Sequence, residues 1–155
     1  MSDETLITDE MRKTIGVEGS PRRLEVDRTM IRLFARAVGH TDPVFYDADE
    51  ARKQGYRDII APPGYLGTPV FEPGDGGQPR VRPGGMTRGL NAGNDYEYLD
   101  VITAGDVLEA RSKTVDIAER QGSLGPMLIT TTETTYTRLG DGKVVAKARG
   151  TGISY

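Results

Sequence analysis

The sequence predicts an α+β fold in which an antiparallel sheet packs one face against helix. Helix signals are confined to the part of the chain before Tyr65. From Leu90 onward four strand-like runs follow one another with no helix between them, and the turns joining the later runs are short enough for hairpins.

Taken in order, residues 1–14 are polar and acidic and are expected to form a flexible N-terminus that frays or makes one helical turn. Ile15 to Val26 supplies a first, irregular strand. Asp27 then caps a helix in which Met30, Leu33, Phe34, Ala37 and Val38 recur at three- and four-residue spacing, and Gly39 stands where a left-handed C-terminal residue is wanted. Asp47 to Gln54 reads as a second, short helix stopped by Gly55. Pro62-Pro63 opens a third, since a first helical turn does not miss the N–H that proline lacks. Residues 72–88 hold too much glycine and proline for either period and are expected to be a mobile loop. The strands follow: Tyr96 and Tyr98 alternate with charges, Val107 to Ile117 alternates in part, Leu128 to Tyr136 is threonine-rich, and Val144 to Ile153 sets Lys147 and Arg149 against Ala146 and Ala148. Glu119 to Gly125 and Leu139 to Gly142 are the hairpin connections, with Asp141-Gly142 a good tight-turn pair. Ala148, Gly150 and Gly152 leave little side-chain volume on the last strand, which favours close approach of a helix or another subunit.

Composition narrows the function. A chain of 155 residues, 36% hydrophobic and 28% charged, suits one domain over residues 15–155. A net charge of -3 offers no general field for nucleic acid. No cysteine is present, which excludes disulfides, a thiolate nucleophile and cysteine-ligated metal, and a single histidine excludes a multi-histidine metal site within one chain. No run approaches the ~18 consecutive apolar residues of a membrane span, so the expectation is a soluble, cytoplasmic protein with no metal.

The segment from Phe34 to Gly64 brings together the only histidine, His40, an acid, Asp42, and the glycine turn at Gly64. Imidazole titrates near neutrality and a nearby carboxylate can orient it, so His40 and Asp42 are candidates for proton transfer; residues two apart share a face only in extended backbone. Against that, His40 can simply finish a helix and Asp42, before a proline, can shape the loop through its own side chain. Gly64 is a candidate oxyanion donor through a free N–H at a helix start, or only a turn glycine. Tyr46 either reaches a pocket or edges the core. Arg80, Arg82 and Arg88 are read as solvated loop charges, with pairing to phosphate as the alternative. Asp106, in Ala104-Gly105-Asp106, is expected to fix the turn before its strand.

These motifs together resemble the MaoC-like hydratase and dehydratase family, in particular its N-terminal dehydratase domain as found in heteromeric 3-hydroxyacyl-thioester dehydratases. The matching residues are Phe34-Ala35-x-Ala37-x-Gly39, Asp42-Pro43-Val44, Ala51, Gly55-Tyr56 and Ala61-Pro62-Pro63. Tyr96-x-Tyr98 with Ala104-Gly105-Asp106-Val107-Leu108, and Gly125-Pro126 through Thr131-x-Glu133-Thr134-Thr135-Tyr136 to Ala146-x-Ala148, extend the match over roughly residues 24–154. The resemblance implies a hot-dog fold, an antiparallel sheet wrapped around a central helix, that dimerises. It also implies reversible addition of water to 2-enoyl thioesters, with coenzyme A or acyl carrier protein present only as part of the substrate and no other cofactor.

In catalytic members, the resemblance implies, an Asp and a His in a Gly-Asp-x-Asn-Pro-x-His pattern handle the water, and a backbone N–H at the start of the central helix polarises the thioester carbonyl. Here His40 stands where the Asp is expected, Asp42 where the Asn is, and Phe45 where the His is. Phenylalanine cannot exchange a proton. The favoured expectation is therefore a substrate-binding subunit, with Gly64, Tyr46 and Phe45 at the acyl site, joined to a catalytic hot-dog partner. The alternatives are a homodimeric hydratase using His40 and Asp42, an acyl-thioester-binding module without chemistry, and a thioesterase.

Overall fold

The computed structural model describes residues 5–67 and 85–155. Its strands are β1 (Arg22–Glu25), β2 (Gly89–Tyr98), β3 (Val107–Gly122), β4 (Gly125–Arg138) and β5 (Val144–Ser154), and its helices are α1 (Asp9–Thr14), α2 (Arg28–Ala37) and α3 (Ala48–Lys53), with 3-10 turns at Pro43–Phe45 and Tyr65–Gly67. The strands form one five-stranded antiparallel sheet in the order β1-β3-β4-β5-β2. Among the described residues no helix is long and apolar enough to cross a membrane.

Local chemistry accounts for the elements. The Asp27 carboxylate accepts the Met30 N–H at 2.9 Å to start α2, and Gly39 ends it at φ +80, with the His40 N–H returning to the Ala35 carbonyl at 2.9 Å. Asp47 caps α3 by accepting the N–H groups of Asp49 and Glu50. The β3–β4 hairpin closes through Ser123 and Leu124, and the β4–β5 hairpin turns at Asp141-Gly142, where Gly142 lies at φ +72. The glycine- and proline-rich stretch expected to be a mobile loop lies, over 72–84, outside the described residues, as do Arg80 and Arg82.

Within residues 1–14 the chain makes the short helix α1, which Thr8 caps and which buries Met11, 1% exposed. Within α2 the buried stripe is Ile31 and Ala35, flanked by half-buried Met30 and Phe34, while Leu33 and Val38 face outward. Pro62-Pro63 leads into the 3-10 turn at Tyr65–Gly67, after which the chain leaves the described residues.

The core sits at one end of one sheet face. There Leu108, Ala110, Tyr136 and Ala146 pack under Ile31, Val44, Ile59 and Leu66 from the helical half. Farther along the same face the sheet becomes a trough of about 700 Å³ whose floor is small and polar, with Ser112, Thr132, Thr134 and Gly150. The opposite face carries ion pairs such as Arg149–Glu133, 3.0 Å apart.

Acid stability follows from the charges that tie loops to this frame. Asp58, hydrogen-bonded by Arg28, and Asp100, hydrogen-bonded by Lys143, are both held below the ordinary carboxylate value of 3.8, as is Asp141, whose largest cause is the Lys143 N–H. A carboxylate with a lowered folded pKa stabilises the fold above its unfolded value and loses that contribution as pH falls through the folded one. The melting temperature is expected to stay level from neutrality down to about pH 4 and to fall below it. Asp58→Asn should remove part of that acid-side slope in a series of thermal melts; an unchanged slope contradicts the assignment.

Candidate functional site

The elements that carry the motif residues converge at the helical end of the sheet. Between α2 and α3 the chain makes the 3-10 turn Pro43–Phe45, capped by Asp42, whose Oδ1 accepts the Val44 N–H at 3.0 Å. The His40 ring lies against Phe45, with centroids 5.2 Å apart at 49°. The Tyr46 hydroxyl donates to the His40 carbonyl, and the Tyr46 carbonyl accepts from Arg32 Nε at 2.9 Å. Tyr46 thus ties the turn to α2 through both its ends. His40 and Asp42 share no hydrogen bond or ion pair.

Beside this turn runs a cleft of about 510 Å³, walled by Phe45, Ile60, Ala61, Pro63, Leu99 and Ile102. Val101 joins them, and among the described residues the polar side chains of the lining are Tyr98 and Asp100. The Asp100 carboxylate is taken by Arg138 and by Lys143, the latter at 3.1 Å. Of the five candidate residues Phe45 alone is among the described lining; His40, Asp42 and the expected acyl-site residues Tyr46 and Gly64 are not.

Gly64, at φ +90, follows the cleft residue Pro63 and lies between Phe34 of α2 and Tyr98 of the sheet. A Cβ at this position would stand 3.3 Å from Phe34 Cζ, so the absence of a side chain lets α2 close onto the segment. Phe34 in turn meets Tyr65 edge-on, with ring centroids 6.1 Å apart. The Gly64 N–H is not free: it donates to the Tyr98 hydroxyl at 2.9 Å. Tyr98 comes from the end of β2, where it stacks with Tyr96 at 6.2 Å.

Burial sets the ionisation of the surrounding phenols. It pushes Tyr65 and Tyr136 up to about 12, and it raises Tyr96 and Tyr98, although the N–H groups of Gly64 and Leu66 pull Tyr98 back in part. All four are protonated at neutral pH and act as hydrogen-bonding groups, not as bases. Of the candidate residues, the fold brings together Phe45, His40 and Tyr46 at the turn that Asp42 caps, while Gly64 contacts Phe34 and Tyr98 instead. Tyr98 was not among the candidates. Its spacing from Tyr96 marks one face of a strand, but nothing in the sequence indicates that its hydroxyl reaches Gly64, 34 residues away. Asp106 fixes the turn before β3, as its position suggested, its Oδ2 accepting the Thr103 N–H at 2.9 Å.

Comparison with known proteins places this geometry. Residues 13–148 match the family model described as FAS1-like, dehydratase domain region. A UPF0336 protein of Parafrankia sp. (strain EAN1pec) is 36% identical over 126 residues, covering 79% of both chains. A probable enoyl-CoA hydratase alpha subunit of Thermomonospora curvata is 31% identical over 147 residues, covering 84% of this chain but 46% of its own, so the chain spans about half of that protein. Among solved structures, a chain of the ChsH1-ChsH2 complex from Mycobacterium tuberculosis superposes with TM-score 0.71 at 20% identity, covering 89% of this chain and 88% of that one. The HadBC 3R-hydroxyacyl-ACP dehydratase complex of the same organism gives 0.65 at 22%, covering 90% and 98%. The architecture is the MaoC-like hot-dog fold, and the chain belongs to the FAS1-like dehydratase-domain family.

Proposed function

We propose that this chain is the acyl-holding subunit of an enoyl-thioester hydratase or 3-hydroxyacyl-thioester dehydratase, and that a second, catalytic hot-dog chain supplies the acid and base. One observation carries the proposal: at the position of the family's histidine the cleft wall is Phe45, and among the described residues the two polar side chains lining the cleft are a phenol and a carboxylate already paired with Arg138 and Lys143. Such a lining binds an apolar acyl chain by burial, and among the described residues it holds no group poised to activate water.

The sheet edge supports the partner. β2 pairs with β5 alone among the described residues, leaving a ten-residue strand with one unpaired side and almost every residue exposed. A long open edge invites a strand from another chain. The small-residue trough on the inner face suits the approach of a second subunit. The relatives in complexes, ChsH1-ChsH2 and HadBC, and the relative named as an alpha subunit, favour a heteromer over a homodimer. The acyl group arrives as a thioester of coenzyme A or of a carrier protein, and no further cofactor is called for.

The test is hydration of a short 2-enoyl-coenzyme A, followed by loss of the conjugated thioester absorbance, for the chain alone and for the chain co-expressed with a MaoC-like chain from the same genome that carries the Asp/His pair. The chain alone is expected to be silent and the pair active. Turnover by the chain alone that is lost in His40→Ala would replace this proposal with a homodimeric hydratase using His40 and Asp42. Release of free thiol would mark a thioesterase, and binding without turnover in any combination a non-catalytic module.

A further inference from the structure

The Gly64 N–H, the candidate donor to a thioester carbonyl, is already engaged by a side chain of this same protein, and that side chain lines the cleft. Gly64 donates its N–H to the Tyr98 oxygen at 2.9 Å, and Tyr98 lines the cleft with Phe45, Pro63 and Leu99. A phenol has one proton to donate, lying in the plane of its ring and directed away from any donor the oxygen already accepts. Among the described residues no acceptor takes that proton, and Tyr98 is 37% exposed while lining the cleft. The other polar side chain of the lining, Asp100, is an anion held by Arg138 and Lys143 and cannot donate.

We propose that the Tyr98 hydroxyl, fixed by the Gly64 N–H, is the hydrogen-bond donor that anchors the carbonyl of an acyl thioester in this cleft. The tyrosine passes on the polarity of the backbone turn: a hydroxyl that accepts one hydrogen bond donates a stronger one. Partial withdrawal of charge by the N–H groups of Gly64 and Leu66 acts in the same direction. Tyr98 is a binding and positioning residue here, with no proton transferred. The assignment rests on the proposed acyl-holding role and adds to it the atom that recognises the carbonyl.

A ligand pair that differs only at the carbonyl tests it: hexanoyl-coenzyme A and its thioether analogue S-hexyl-coenzyme A, titrated calorimetrically into the full chain. One neutral hydrogen bond to the carbonyl predicts that the wild type binds the thioester roughly fivefold more tightly than the thioether. In Tyr98→Phe, which keeps the ring and removes the donor, that ratio is expected to fall to about one with thioether affinity unchanged. A ratio preserved or increased in Tyr98→Phe overturns the assignment, because the Gly64 N–H released by the substitution would then be the carbonyl's donor. If Tyr98→Phe fails to fold, the wild-type ratio decides: about five supports the anchor and about one overturns it. Failure of the wild type to bind either ligand would overturn the acyl-holding role itself and this inference with it, whereas binding of both without discrimination overturns the anchor alone.

Discussion

Asp106→Ala is expected to lower the unfolding free energy by about 3 kcal/mol, a large fraction of the stability of a domain this size. Asp106 is 4% exposed, and its carboxylate does three things at once. Its Oδ2 accepts the Thr103 N–H at 2.9 Å, its Oδ1 lies 2.5 Å from Arg57, and Arg138 stands 3.6 Å away. Alanine leaves the Thr103 N–H buried without an acceptor, a loss of about 1–3 kcal/mol, and removes a charge beside a largely buried guanidinium. The turn it holds also docks β1, since the Val26 N–H donates to the Asp106 carbonyl and the Gly105 N–H to the Val26 carbonyl. Arg57→Ala should cost far less, because Arg57 is 66% exposed and solvent replaces most of what it contributes. Urea denaturation of the two variants checks both statements. An Asp106→Ala loss no larger than that of Arg57→Ala would mean that the buried acceptor is not what holds the turn.

Gly64→Ala joins stability to function. The residue's φ of +90 costs an L-residue about 1–2 kcal/mol, and its Cβ would press on Phe34 Cζ at 3.3 Å. Relief requires Phe34 or the backbone to move. Phe34 links α2 to Tyr65, and the Gly64 N–H fixes Tyr98, so either movement disturbs the cleft wall. The expected result is a loss of about 2 kcal/mol in stability with roughly a tenfold loss of acyl-coenzyme A affinity. Stability loss with unaltered affinity would separate Gly64 from the cleft.

Much of the frame was legible in the sequence because it is dictated by local rules. Asp27 and Asp47 cap helices, Gly39 and Gly55 end them at positive φ, and the strands from Val107 onward follow partial alternation and hairpin chemistry, whereas the Gly89–Asp95 half of β2 and the Glu119–Gly122 end of β3 carry no strand pattern. The face of α2 was less legible: Leu33 and Val38 satisfy helical spacing as well as Ile31 and Ala35 do, and only the packing under Val44 and Ile59 decides which pair is buried. The order of the sheet, with β1 beside β3 and β2 at the far edge, depends on pairings distant in sequence that local patterns do not encode. The same holds at the candidate site. His40, Asp42, Phe45 and Tyr46 are neighbours in the chain and drew attention as a motif, while the Tyr98–Gly64 contact joins two segments that no spacing rule connects. Asp42 illustrates the limit of reading chemistry from a residue type: its carboxylate oxygen is engaged in capping the Pro43–Phe45 turn.

The central claim is that this chain holds the acyl thioester while a partner performs the chemistry, and the most direct measurement is enoyl-coenzyme A hydration by the chain alone, by the co-expressed pair, and by the pair with this chain carrying His40→Ala. The account predicts no turnover for the chain alone, turnover for the pair, and turnover within about twofold of it for the His40→Ala pair, since a residue outside the reacting groups shifts the barrier little. Turnover by the isolated chain that disappears with His40 would contradict it.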